Sequence, residues 1–94
     1  MSVKIFIKRK VQQENMLELT LLLKRLRILT LEQDGYVSGE TLVRIDKTDE
    51  CMVISTWRSI DDWNRWVNDP KRIEVQTKID DILGEDTEYA MYSA

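Results

Sequence analysis

A chain of 94 residues fits one domain, taken as residues 1–94, and a domain that short buries only about 60 to 65% of the surface its unfolded chain exposes, so a second copy would help. Apolar residues make up 43% and charged residues 33%, which excludes the low-hydrophobicity signature of disorder. A net charge of −3, from 14 basic and 17 acidic side chains, leaves no global positive field for nucleic acid.

No apolar stretch reaches the roughly 20 residues of a membrane span, and Lys4 and Lys8-Arg9-Lys10 interrupt any signal-peptide core. A cytoplasmic protein without a membrane partner is expected.

Residues 2–10 alternate, with Val3, Ile5 and Ile7 on one side, and predict a half-buried first strand. From about residue 14 to 32, Met16, Leu19, Leu22, Leu23, Leu26 and Leu29 recur at three- and four-residue steps, the stripe of an amphipathic helix. A second stripe, Leu17, Leu21, Ile28 and Leu31, lies roughly 100 to 140° around the same helix. It suits either cover by a neighbouring segment or an oligomer contact or pocket wall.

Gly35 ends the helix with a residue free to take positive φ. Residues 36–45 then alternate, with Val37, Thr41, Val43 and Ile45 on one parity, and predict a long second strand. The polar cluster Asp46-Lys47-Thr48-Asp49 is a turn, and the β-branched run from Cys51 to Trp57 completes an antiparallel hairpin.

Ser59 and Asp62 have capping-box spacing and open a short helix over 60–68, with Ile60, Trp63 and Val67 on its inner face. Asp69-Pro70 caps a further helix over 71–83, with Val75, Ile79, Ile82 and Leu83 inward and Gly84 as its stop. Residues 87–92 suit a fourth strand.

The lone Cys51 can form no intrachain disulfide and reads as a buried, inert thiol. The chain has no histidine, so it lacks the usual general base, the commonest metal ligand and the standard proximal haem ligand. No metal site and no cofactor are expected.

The resulting β-α-β-β-α-β order is the ferredoxin-like α+β arrangement, a four-stranded antiparallel sheet with helices on one face. The other face would carry the apolar residues of strand two and be covered by a second copy, making a homodimer through the open sheet face. RNA-recognition modules share this order. Strand three, ECMVISTW, lacks their glycines and stacking aromatics, and strand one offers only Phe6.

Three segments carry a resemblance to a known family: Gly35-Tyr36-Val37-Ser38-Gly39-Glu40, Val53-Ile54-Ser55-Thr56-Trp57-Arg58-Ser59, and Asp62-Trp63-Asn64-Arg65-Trp66-Val67-Asn68-Asp69-Pro70. Together they resemble the central stretch of the antibiotic biosynthesis monooxygenase family, dimeric α+β barrels. The order of elements extends the resemblance over roughly residues 3–92. It implies a pocket between sheet and helices in each protomer, used for cofactor-free oxygenation of aromatic compounds or for haem degradation. The haem-degrading members place an Asn on strand one, a Trp on the short helix and a His on the next helix. Trp66 matches that Trp, but Gln76 stands at the His position and strand one has no Asn. An amide is a poor iron ligand beside imidazole.

Cofactor-free oxygenation needs a base, a dry aromatic cavity and a group that holds a substrate anion. Trp66, Asn64 and Arg44 are the candidate catalytic residues, and Trp57, Trp63, Gln76, Tyr36 and Tyr89 the candidate substrate contacts. Each has a plainer role available: core packing for the Trp residues, helix capping or solvent exposure for Asn64, an ion pair for Arg44, ordinary strand positions for the Tyr residues. The expected function is cofactor-independent oxidation of a small aromatic or quinone-like compound by dioxygen. The alternative is a dimeric ligand-binding module that kept the fold without the chemistry.

Overall fold

The computed structural model describes residues 2–84 and 87–93. Its elements are β1 (Val3–Lys10), α1 (Met16–Leu31), β2 (Tyr36–Val43), β3 (Glu50–Trp57), α2 (Ile60–Val67), α3 (Pro70–Leu83) and β4 (Glu88–Ser93), with a 3₁₀ turn at Gln13–Asn15 leading into α1. The strands form one antiparallel sheet in the order β2-β3-β1-β4. This is the expected ferredoxin-like α+β order.

Register decides which residues meet the helices. Ile5 pairs with Ser55, Ile7 with Val53 and Arg9 with Cys51, and Ile5, Ile7, Arg9, Ser55 and Trp57 are all buried. Because side chains alternate across a sheet, the odd positions of β1 and β3 share the helix face. Thr41 pairs with Val53 and Val43 with Cys51, so the even apolar spacing of β2 faces the helices too.

This corrects the expected open face. Thr41 and Val43 point to the helix side, Val37 falls at a register break between Tyr36 and Ser38, and Ile45 lies beyond the end of β2 at 95% exposure. The open face is built instead from Phe6, Leu42, Met52, Ile54, Ala90 and Tyr92, with Lys4, Lys8, Glu40 and Glu88 between them. Phe6 and Tyr92 meet there edge to face at 5.1 Å.

Two clusters fill the helix side. Ile5, Ile7, Trp57, Trp63 and Trp66 form one, and Val11, Leu19, Val75 and Ile79 the other, with Leu26 and Leu29 of α1 packed against both. The first stripe of α1 is therefore inward from Leu19 to Leu29, while Met16 at its start is exposed. The second is bare, with Leu17, Leu21, Ile28 and Leu31 exposed, so no segment of the chain covers it among the described residues.

Local chemistry sets the helix ends. Ser59 caps α2 by accepting from the Asp62 backbone N–H at 3.2 Å, and the Asp69 carboxylate caps α3 by accepting from the Lys71 N–H at 2.8 Å, with Pro70 in the first turn. The inner face of α2 differs from the expected one: Trp63 and Trp66 are buried, Val67 is half-buried and Ile60 is exposed. Gly35, at φ 88°, makes the left-handed turn from α1 into β2. A side chain there would also run into Asp62.

Candidate functional site

Between the sheet and α1 and α2 lies a cavity of about 350 Å³. Its floor is the helix face of the sheet, Ile7, Val53 and Val43 among others, and α1 closes one side with Leu19, Leu23 and Leu26. Trp63 and Trp66 wall it from α2. They follow from the 3.6-residue turn, which swings positions 63 and 66 onto one side of a short helix. The exposed lining residues, Lys24 and Arg27 of α1 and Gly39 and Thr41 of β2, mark its mouth.

An aromatic row runs through this wall. Tyr36 meets Trp57 at 5.4 Å, Trp57 meets Trp63 at 5.8 Å, and Trp63 meets Tyr89 at 5.9 Å, each ring tilted or edge-on to the next. Such offsets bring a positive ring edge to a negative ring face. Trp57 is fully buried and donates its indole N–H to Ser55 Oγ at 2.8 Å. It supports the wall without lining the cavity.

Two arginines are buried in this site. Arg9, 3% exposed, and Arg72, 5% exposed, both line the cavity. Arg9 Nη2 donates to Gln76 Oε1 at 3.2 Å. Gln76 Nε2 donates in turn to Asp80 Oδ1 and Thr87 Oγ1, each at 2.9 Å. Arg72 Nη2 donates to the Tyr89 hydroxyl at 2.6 Å, and its guanidinium lies over the Trp63 ring at 5.5 Å and the Tyr89 ring at 5.4 Å, a cation–π placement. Burial pushes the Arg9 guanidinium below its ordinary pKa, and nearby Arg72 acts the same way, while Tyr89, Cys51 and Asp80 oppose the shift. Burial likewise raises the Cys51 thiol, which lines the cavity.

The structure brings some expected residues together and separates others. Trp63, Trp66 and Tyr36 line the cavity. Gln76 and Tyr89 stand one layer back, holding Arg9 and Arg72. Asn64 is exposed on the outer side of α2. Arg44 lies past the end of β2, paired with Asp46 at 2.7 Å and Glu50 at 2.9 Å; Val43, not Arg44, has the parity that reaches the cavity. Neither Asn64 nor Arg44 is placed to touch a ligand there.

Sequence reasoning missed Arg9 and Arg72, although both sit on buried periodicities. Arg9 continues Val3, Ile5 and Ile7 in steps of two, and Arg72 precedes Val75, Gln76 and Ile79 at helical spacing. The residues do not fit an imidazole-ligated haem. The chain has no histidine, and the Gln76 amide is committed to Arg9, Asp80 and Thr87.

The fold is thus a ferredoxin-like α+β domain with an aromatic-walled cavity between sheet and helices. The sequence model of the antibiotic biosynthesis monooxygenase family matches residues 2–78, and the chain belongs to that family. No curated protein matches it in sequence. Among solved structures, a conserved protein from Methanosarcina mazei Go1 superposes with a TM-score of 0.91 at 17% identity, covering 98% of this chain and 91% of that one. SnoaB, a cofactor-independent oxygenase from Streptomyces nogalater, gives 0.87 at 19% identity, covering 99% and 92%. Rv0793 from Mycobacterium tuberculosis gives 0.88 at 15%, covering 100% and 95%. At these identities the likeness is one of fold.

Proposed function

We propose that the protein is a cofactor-independent monooxygenase that oxidises a small aromatic or quinone-like compound with dioxygen. The observation that carries this reading is the apolar cavity walled by Trp63 and Trp66, of about 350 Å³, which suits a flat ring system of two or three fused rings. Membership of the family and the fold shared with SnoaB, an oxygenase of this kind, support it.

In such a reaction the substrate itself supplies the electrons. An anthrone-type CH₂ loses a proton to water or a base, and the resulting anion reduces dioxygen. One oxygen atom ends as a new ring carbonyl and the other leaves as water with both CH₂ hydrogens. The protein's part is to favour the anion, orient the ring and keep bulk water away. Arg9 and Arg72 are the cations placed for the first task, and Trp63 and Trp66 for the other two.

The test is oxygen consumption with an anthrone and, separately, a hydroxynaphthoquinone. Uptake above the uncatalysed rate that falls at least about tenfold in Trp66→Ala, with Trp66→Phe in between, supports the reading. No uptake above background with either compound overturns it.

A second reading, a ligand-binding module of the same fold, draws on one specific feature. The cavity holds two guanidiniums, which cannot act as bases, and no imidazole. Saturable binding without oxygen uptake would favour it. Both readings take the working unit as a homodimer through the open sheet face, since a half-covered sheet of Phe6, Leu42, Met52, Ile54 and Tyr92 would otherwise face water.

A further inference from the structure

Buried charges in proteins are ordinarily paired with an opposite charge, because an uncompensated ion loses its hydration for nothing. Here the pattern is reversed. Exposed Arg44 has two carboxylate partners, whereas among the described residues neither Arg9 nor Arg72 forms an ion pair, although both are buried. Arg9 uses one nitrogen, Nη2, on Gln76, and its buried Nε has no partner. Arg72 uses one nitrogen on the Tyr89 hydroxyl.

The compensating acid stands at one remove. Asp80 reaches Arg9 only through the Gln76 amide, and is itself also bonded by the Thr87 hydroxyl and backbone N–H. Glu50, which lines the cavity on the β3 side, is held by Lys8 and Arg44. At the mouth, Lys24 and Arg27 form no ion pair among the described residues, and Glu40, paired in register with Ile54, has the parity of the open sheet face. The site therefore has a surplus of positive charge both inside and at its entrance.

We infer that Arg9 and Arg72 are a preformed receptor for one ionised oxygen group of the ligand, so that the cavity takes a planar aromatic anion, a carboxylate or a phenolate, in preference to the neutral compound. Guanidinium forks match such oxygens, and the burial of both arginines among apolar and aromatic side chains strengthens the match. Gln76 and Tyr89 are positioning residues, each fixing one arginine. Lys24 and Arg27 would draw the anion toward the mouth, an effect that fades as salt rises.

The inference rests on the cavity being an aromatic-ligand site but does not require turnover. Its test is accordingly made without oxygen, by following quenching of tryptophan fluorescence as 2-naphthoate, 2-naphthamide or 2-naphthol is added. The acid should bind at least about tenfold tighter than the isosteric amide, the lower end of what charged hydrogen bonds contribute. Arg9→Gln and Arg72→Gln should each weaken the acid while leaving the amide within about twofold, and Arg9→Lys should keep part of the preference. If the phenolate is an acceptable form, 2-naphthol binding should tighten as pH rises through its own ionisation; a preference for naphthoate with flat naphthol binding assigns the site to carboxylates.

Equal affinities for acid and amide in the wild type overturn the inference whether or not either variant folds. So does a preference that survives in both variants, or binding of none of the three compounds. Oxygen uptake with an anthrone is measured separately, so a neutral-substrate oxygenase and a non-catalytic anion binder give different pairs of results.

Discussion

At Asp62 three local constraints meet. Ser59 Oγ accepts from the Asp62 backbone N–H at 3.2 Å and donates to its carboxylate at 2.9 Å, while Arg65 donates to the other carboxylate oxygen at 3.0 Å. Gly35 packs so close that a side chain would strike the same carboxylate. Ser59→Ala removes the cap and should cost about 1 kcal/mol, lowering the melting temperature by about 4–8 °C for a domain of this size. Thermal unfolding followed by circular dichroism reads the loss, and Ser59→Thr should recover most of it. An unchanged melting temperature would mean that the cap does not hold α2. This cap was legible because its partners are three residues apart. The two arginines were not, because a charge in KRK or PKR reads as solvent-facing until a long-range register turns it inward. Arg44 failed for the same reason in reverse: whether position 43 or 44 faces the cavity depends on pairing with β3, which local pattern does not contain.

The β2–β3 connection is tied by charge more than by packing. Arg44 bridges Asp46 and Glu50, and Lys8 of β1 reaches Glu50 at 3.1 Å. Arg44 holds the Asp46 carboxyl below its ordinary pKa, and Arg44 followed by Lys8 does the same for Glu50. A carboxyl whose folded pKa is depressed stabilises the fold above its unfolded pKa, and that contribution is lost as pH falls through the folded value. Melting temperature should therefore decline as pH drops below about 4. In Arg44→Met the decline should be shallower, because the main cause of both depressions is gone. High salt should flatten the wild-type curve as well, as expected of exposed pairs. Parallel acid limbs in the two proteins would assign the decline to other carboxyls.

Helix α1 shows the same division between what periodicity reveals and what it leaves open. Its two apolar stripes were plain in the sequence, but only the fold shows that one is packed and the other bare. Leu19 is 1% exposed and Leu21 60%. Leu19→Ala should cost about 2–5 kcal/mol, whereas Leu21→Lys should stay within about 0.5 kcal/mol, as surface changes do. Urea unfolding of both variants makes the comparison. A large loss from Leu21→Lys that grows as the protein is diluted would place the second stripe in an oligomer contact instead.

For the whole molecule, the order of elements was readable because each period, two or 3.6, is local, whereas the composition of the open face was not. That face is now defined by β1, β3 and the two edge strands, and it makes a specific case for the dimer. A stable interface of standard size takes about 800 Å² from each partner, about one-eighth of the 6290 Å² accessible surface of this chain. The open side of a four-stranded sheet is of that order. Ile54 lies at its centre, paired across the sheet with Phe6 on one side and Glu40 on the other. Ile54→Lys should be tolerated within one protomer, since the new ammonium has Glu40 beside it and water above. Across a sheet-to-sheet contact it would face its own copy or apolar side chains, a desolvated charge costing several kcal/mol. Sedimentation velocity at micromolar concentration should thus find two chains in the wild type and one in Ile54→Lys, with circular dichroism unchanged. A wild type that sediments as a single chain would leave the Phe6, Met52 and Ile54 surface without a second copy to cover it.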